Sequence, residues 1–591
     1  RSSSSPELDD HTSGNAANTH MQFANRGVGA QNITLKARVA NNFLLGQKYT
    51  DTFGLSKADL LGLRATGTLT LANTGTGSGT LDVRSGFLLV ANDLPGNLTL
   101  QYPAVYMHSN ASLALAAEKT FTVGNDATST FAGVIGGATS LAKQGVGTLI
   151  LTGSNAYSGP TLISGGALQV GNNGSTGTLG SGAVTIQNGE LVFFRAGEIT
   201  VANAISGSGS VRQLNTGTLS LTGQSTYTGL THLPDVGAIV FHHDTVPRTQ
   251  GFRGTGTVSI QPAGESFTDP VSSQYDFANT LQGFTLGKEG VAQSVTIDSS
   301  IEINGPITLY AGDLAINGAL AAQDNTSAIK LYASGTVTQS ATITANELAL
   351  FDAGIFNLSG SSEAGNSVGT IAGGESAAPL GSLAFTNAGA LTIGSVNPTG
   401  ITATGDVRIE TLDGNLTLAQ NITTDSNTTT AVILNAGKSA SAGDPAGGNV
   451  IISGTRTITM GTAGTGIVQL MTGSIADSAG VVDLVGFGSG NFRYGSDESD
   501  TNYTQALTPG QVYAIYRERP LASGSLSGPT EITYGQDIPD YELTGASGTV
   551  NGDVVSGPTG LLGAQFSSSG KLKVKERGYQ VAGGDFAALG Y

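Results

Sequence analysis

Apolar and polar residues alternate along most of this chain in short phrases. One phrase recurs three times between residues 306 and 354. It reads Ile307-Thr308-Leu309-Tyr310 before Gly312, Ile329-Lys330-Leu331-Tyr332 before Gly335, and Leu348-Ala349-Leu350-Phe351 before Gly354. Aligned on Leu309, Leu331 and Leu350, the copies are 22 and 19 residues apart. Alternation of this kind is the period of a strand with one buried face, and each phrase stops at a glycine that permits a tight bend. A unit of about 20 residues made of short strands and glycine corners cannot bury its apolar face alone, but it can when stacked on copies of itself. The pattern predicts a parallel β-helix, a solenoid in which each coil pairs its backbone with the coils above and below.

Taken in order, residues 1–64 read as a polar N-terminal segment or cap. Within it, Leu35 to Gln47 and Ser56 to Arg64 fit either short helices or irregular first strands. A β-helix shaft is predicted over residues 65–520. It opens with phrases such as Gly67-Thr-Leu-Thr-Leu71 and contains a duplication near 131–170 and 201–240. There Gly147-Thr-Leu-Ile-Leu-Thr-Gly153, Tyr157, Gly159 and Thr161 return as Gly217-Thr-Leu-Ser-Leu-Thr-Gly223, Tyr227, Gly229 and Thr231, identical at nine positions without gaps. The ladder continues through Val407-Arg-Ile409, Val432-Ile-Leu434, Val450-Ile-Ile452 and Val468-Gln-Leu470. Residues 361–381, 437–448 and 488–510 stretch the period and read as long loops, where binding surfaces are often placed. The pattern breaks after Val482-Asp-Leu-Val485. Val512–Tyr516 reads as a last strand, and Arg517-Glu-Arg-Pro520 as a linker. At roughly 22 residues per coil and about 4.8 Å per rung, the shaft would be a rod on the order of 100 Å long. Residues 521–591 differ in texture, and Asn551-Gly552 marks a hairpin turn.

These residues carry resemblances. The G-T-L-x-L-T-G-x-x-x-Y-x-G-x-T phrase, followed by Gly166-Ala-Leu-Gln-Val170, resembles the autotransporter-associated β-strand repeat of bacterial surface passengers. Residues 254–473 are similar to the shaft of filamentous-haemagglutinin-like exoproteins of two-partner secretion systems, in phrases such as Gly389-Ala-Leu-Thr-Ile-Gly394 and Gly414-Asn-Leu-Thr-Leu418. The order Thr533-Tyr-Gly535, then Asn551-Gly-Asp553, resembles the small MBG-type β-sandwich modules that follow such shafts. Ala588-Leu-Gly-Tyr591 falls where that module would enter its final strand, which reads as a truncated module. The fold class expected is all-β: a right-handed parallel β-helix (β-solenoid) followed by a small β-sandwich module.

Composition narrows the function. Of 591 residues 87 are Gly, and only 12% are charged, against roughly 25% in ordinary globular proteins. This suits a thin, corner-rich rod, while the 39% hydrophobic content opposes a disordered reading. A net charge of −17 repels phosphate backbones, so no nucleic acid partner is expected. The absence of cysteine excludes disulfides and thiolate metal sites. No apolar run approaches the 18 or so residues of a membrane span. The polar start Arg1-Ser-Ser-Ser-Ser-Pro6 is no signal peptide, so an exported protein would be represented here by a processed or excised piece.

Candidate chemistry is sparse. His242-His243-Asp244 is the densest titratable run, but neighbouring strand residues face opposite sides, which favours a surface turn over a metal site. Asp497, Glu498 and Asp500 offer hard oxygens for Ca²⁺, yet their spacing matches no calcium loop, which favours a solvated acidic loop. Asp235 and Asp244 near Arg248 and Arg253 could imitate a β-helical polysaccharide lyase, although nothing in the sequence fixes their geometry and salt bridging is the plainer reading. Tyr157 and Tyr227 share one repeat position and read as packing residues. Tyr310, Tyr332 and Phe351 read as an aromatic stack in the core. The N-x-S/T triplets at Asn32, Asn97, Asn415 and Asn421 are frequent enough to arise by composition, and they leave glycosylation open. No catalytic, cofactor-binding or metal residue is assigned, and no cofactor is expected.

The resemblance implies a secreted, non-enzymatic cell-surface adhesin of a Gram-negative bacterium, extracellular and outer-membrane-associated or released, acting in attachment, aggregation or biofilm-matrix contacts. Implied partners are host-cell or matrix glycans, neighbouring bacterial surfaces and an outer-membrane transporter barrel during export, with self-association into a filament, sheath or matrix as the alternative. A polysaccharide-degrading enzyme is the third reading.

Overall fold

The computed structural model describes residues 32–37, 42–46, 53–63, 65–73, 79–234, 236–242, 251–324, 326–360, 365–503, 505–520, 523–527, 541–556, 560–566, 572–575, 579–581 and 584–586. It is all-β, a parallel β-solenoid, and the chain divides into two compact units, residues 1–269 with 275–288 and residues 270–274 with 289–591.

In the first unit, alternation does what the sequence pattern requires. Along Thr218–Leu221, Leu219 and Leu221 are buried while Thr218 and Ser220 face outward. Each strand pairs in parallel with the strand one coil on, so Leu149 lies over Leu168 and Leu168 over Leu191. Among the described residues an eight-stranded and a twelve-stranded sheet form this way. Pairing already begins with Ile33–Ala37 on Thr68–Asn73 and with Phe43–Leu45 on Thr80–Val83, so the coil pattern reaches into the segment expected to be a cap. Lys57–Gly62 is a helix, with Ser56 and Asp59 forming its capping box.

Corners are tight enough to fix residue type. A Cβ on Gly153 would lie 1.9 Å from the carbonyl oxygen of Gly133 on the preceding coil. The repeated tyrosines fill the interior. Tyr157 and Tyr227 are fully buried, and their hydroxyls meet Thr161 Oγ1 at 2.8 Å and Thr231 Oγ1 at 2.7 Å.

The asparagines of the N-x-T triplets are structural. Oδ1 of Asn32, Asn97, Asn415 and Asn421 accepts the N–H of Thr68, Thr120, Asn449 and Thr457 respectively, at 2.8–3.1 Å. Each satisfies a backbone donor where the next coil's strand begins.

In the second unit the thrice-repeated phrases stack in register, Leu309 on Leu331 and Leu331 on Leu350. Their aromatic residues do not enter the core as expected. Tyr310, Tyr332 and Phe351 sit at the alternate, half-exposed positions and form a ladder on the outer face, with ring centroids 4.3 Å apart at both steps. The reason is parity: the leucine preceding each ring takes the inward position. An eleven-stranded sheet here ends at Val512–Tyr516 and Phe492–Arg493. Val481–Val485 is a short helix, not a further strand.

The C-terminal strands, among the described residues, join into one seven-stranded antiparallel sheet. The long strand Tyr541–Val550 pairs with Ser523–Ser527, Asp553–Ser556 and Gly560–Phe566. Asn551 and Gly552 both have positive φ, 53° and 85°, as a two-residue hairpin turn requires. That turn lies against residues beside the last coil. Gly488 N–H donates to Asn551 O at 2.9 Å, and Asn551 Nδ2 donates to the Tyr494 hydroxyl at 3.0 Å.

Candidate binding site

The second unit carries a cavity of about 230 Å³ where two of the three predicted long loops meet. Thr386, Glu410, Asn435 and Met471 follow one another on consecutive coils as an outward-facing column of the eleven-stranded sheet, and Asn435 and Met471 of that column line the cavity. These positions are buried although they point away from the core, because loops 437–448 and 494–502 close over them.

Arg517 holds the first loop. Its guanidinium is buried and donates to the carbonyls of Ala436 at 2.6 Å, Asp444 at 3.2 Å, Ala446 at 2.9 Å and Gly448 at 2.8 Å. Its own carbonyl accepts Gly443 N–H at 2.8 Å. Burial lowers its pKa, opposed by Asp444 and Asp497, but an arginine keeps its charge regardless.

Asp497 ties the loops together. Oδ2 accepts Ala442 N–H at 2.7 Å from the facing loop, while Oδ1 accepts the N–H groups of Ser499 and Asp500. This turn lifts Glu498 onto the sheet. There one carboxylate oxygen takes Arg408, and the other takes Asn435 Nδ2 at 3.2 Å.

Glu410 completes the network. Its side chain is 1% exposed and bridges Arg408 at 2.5 Å and Lys438 at 2.6 Å, with Thr386 Oγ1 donating at 3.3 Å. Desolvation works against the Arg408 charge, yet Glu498 and Glu410 outweigh it and raise its pKa. A buried carboxylate between two cations is the arrangement that makes such a charge tolerable.

The acidic loop read as a calcium candidate is therefore partnered within the protein. Asp497 is committed to backbone N–H groups and Glu498 to Arg408 and Asn435. Among the described residues no cluster of three metal-ligating side chains occurs. Of the lyase candidates, Arg253 pairs with Asp276, and Asp235, Asp244 and Arg248 lie outside the described residues. His242 ends the strand Ala238–His242, and burial and Lys288 lower its pKa; His243 lies outside the described residues. Arg408, Glu410, Lys438 and Arg517 were not singled out from the sequence. The available signal was an arginine directly after the last strand, together with three charged residues spaced along a chain that has few.

Two comparisons relate the chain to known proteins, and the repeat match falls in the first unit. The passenger-associated-transport-repeat family matches residues 141–170 and 211–233, the same strands that sequence duplication pairs. An 89-residue stretch is 44% identical to the protein described as "Adhesin BmaC autotransporter" from Brucella suis biovar 1 (strain 1330). This covers 14% of the chain and 3% of that relative's length, so the chain matches only a small part of it. No solved structure matches the chain.

Proposed function

We propose that this chain is the extracellular passenger portion of an autotransporter-type surface adhesin, and that it acts by binding, not catalysis. The observation that carries the reading is a coincidence of place. The passenger-associated repeat falls on Ser140–Gln144 through Ala167–Gly174 and on Ser210–Leu214 through Thr231–Leu233, which pair coil on coil in a parallel solenoid. The similarity to an autotransporter adhesin points the same way.

The solenoid is a stiff support stabilised by stacked apolar strands and coil-to-coil hydrogen bonds. Loops drawn out from its corners form the recognition surface. The cavity supports binding over turnover, since its carboxylates are held by Arg408, Lys438, Asn435 and backbone donors, and general acid–base work needs a proton-exchanging group at the ligand. Finer parts of the reading are attachment, aggregation or matrix contact as the biological outcome, and a C-terminal MBG-like module beyond the shaft. Export through an outer-membrane barrel is a further part, by either an autotransporter or a two-partner route.

Beads coated with the purified chain test the proposal. Saturable retention on cell monolayers or glycan-coated surfaces, competed by the free chain, is the expected result. Retention no better than that of albumin-coated beads on every surface would reject it.

A further inference from the structure

We propose that the cavity between loops 437–448 and 494–502 receives a single neutral, hydroxyl-rich ring, the terminal pyranose residue of a glycan. The ligand's origin on a surface glycan rests on the adhesin reading; the site's chemistry does not.

Size gives the first limit. At about 230 Å³ the cavity lies below the roughly 300–1,000 Å³ of sites that enclose drug-sized ligands. It suits one ring and leaves the rest of a chain in solvent.

Charge gives the second. Lys438 and Arg517 on the lining are matched by Asp497 and Glu498, so the lining is electroneutral and offers no field to concentrate an anion. Arg517 already has four donations committed to carbonyls, so it has no free fork for a carboxylate, sulfate or phosphate.

What stays open is suited to hydroxyl groups. A carboxylate can accept about four hydrogen bonds. Glu498 uses one oxygen on Arg408 and one on Asn435, and Asp497 Oδ2 uses one on Ala442. Lys438 spends one ammonium donor on Glu410 and has more to give. The exposed Ser499 adds a hydroxyl at the rim. Acceptors on Glu498 and Asp497 and donors on Lys438 and Ser499 thus line one cavity, and a sugar hydroxyl can both accept and donate. Met471 and Ala440 supply a small apolar surface for the C–H face of the ring.

Saturation-transfer NMR tests this on the full chain, with methyl glycosides of neutral hexoses and N-acetylhexosamines as probes and the methyl glycoside of N-acetylneuraminic acid as the anionic comparison. At least one neutral glycoside is expected to show saturable transfer. A ligand of about a dozen heavy atoms places its dissociation constant in about the millimolar range. Ala440→Phe, which fills the cavity, and Ser499→Phe, which narrows its mouth from an exposed tip, should each weaken binding tenfold or more without lowering the melting temperature of the shaft. The assignment is overturned if no neutral glycoside shows transfer, if transfer survives both variants, or if the anionic glycoside binds more tightly.

Failure of the adhesin reading would look different. Wild-type and Ser499→Phe beads adhering equally would remove this site while leaving adhesion intact. NMR binding with no bead adhesion would do the reverse.

Discussion

Single side chains set much of the solenoid's behaviour, and their roles divide by how much the sequence revealed of them. Tyr157 was legible because its counterpart Tyr227 stands at the same repeat position. Both are buried with a threonine partner. Tyr157→Phe leaves the buried Thr161 hydroxyl without that partner and is expected to destabilise the protein by about 1–3 kcal/mol, read as a lowered denaturation midpoint. Lys143 was not legible, because it occupies an inward strand position where the second copy has Gln213. Its ammonium donates to the carbonyls of Gln144, Gly145 and Gly165. Burial lowers its pKa to about 8, opposed by Asp126.

That value has a consequence for stability against pH. Above about pH 8 the folded protein loses a proton that the unfolded chain keeps up to its ordinary value near 10.5, so stability rises with pH in that window. The opposite sign applies above about pH 10. Burial raises the pKa of Tyr157, Tyr227 and Tyr275, so the unfolded chain then loses protons that the folded one retains, and stability falls. Thermal melts from pH 7 to 11 should therefore pass through a maximum, and Lys143→Met should flatten the rising limb. A monotonic decline in the wild type would contradict the Lys143 assignment, and a continued rise to pH 11 would contradict the tyrosine assignment.

At the scale of strands and turns, periodicity carried the reading far. The alternating phrases located nearly every strand named from them, because an inward leucine every second residue leaves no other face to bury. The pattern gave out where contacts replaced periodicity. Val481–Val485 repeats the look of a strand yet forms a helix, and the aromatic ladder was placed inside when parity puts it outside. Within that ladder, burial and the neighbouring Tyr310 and Asp352 push the Tyr332 hydroxyl up to about 12, the mark of a half-covered outer position.

The glycine corners are the strictest local requirement. Gly153→Ala brings a Cβ to 1.9 Å from Gly133 O and is expected to cost about 1–3 kcal/mol. Gly174→Ala meets nothing within 4 Å and serves as the control in the same melting experiment. The Asn551-Gly552 turn makes a further test possible. Asn551→Ala removes the hydrogen bond to Tyr494, and hydrogen exchange at the backbone amides of Tyr541–Val550 should become faster than in the parent while that of the shaft strands is unchanged.

For the molecule as a whole, repetition made the fold legible and uniqueness hid the site. A solenoid announces itself through many weak copies of one phrase, each of low information but jointly decisive. The cavity depends on a network of Arg408 and Glu410 from one strand, Lys438 and Arg517, residues drawn from three places in the sequence that follow no period. The stacking of coils brings Glu410, Asn435 and Met471 into one column, and Arg517, Asp497 and the Lys438–Glu410 pair hold the loop over them. Loops 437–448 and 494–502 were visible as interruptions of the period, without their chemistry. Residues 361–381, read as a loop on the same ground, instead contain the strand Ser367–Gly373 paired on Ile343–Phe351, because Ser- and Gly-rich flanks hide the inward Val368 and Ile371.

The central claim, binding without turnover, meets its most direct test in co-sedimentation. The purified chain is incubated with insoluble surface and matrix polysaccharides, and bound protein and newly formed reducing ends are measured in the same tubes. The account predicts saturable binding to at least one polysaccharide, with reducing ends no higher than in protein-free controls. New chain ends that accumulate with time and protein concentration would contradict it and make the solenoid an enzyme.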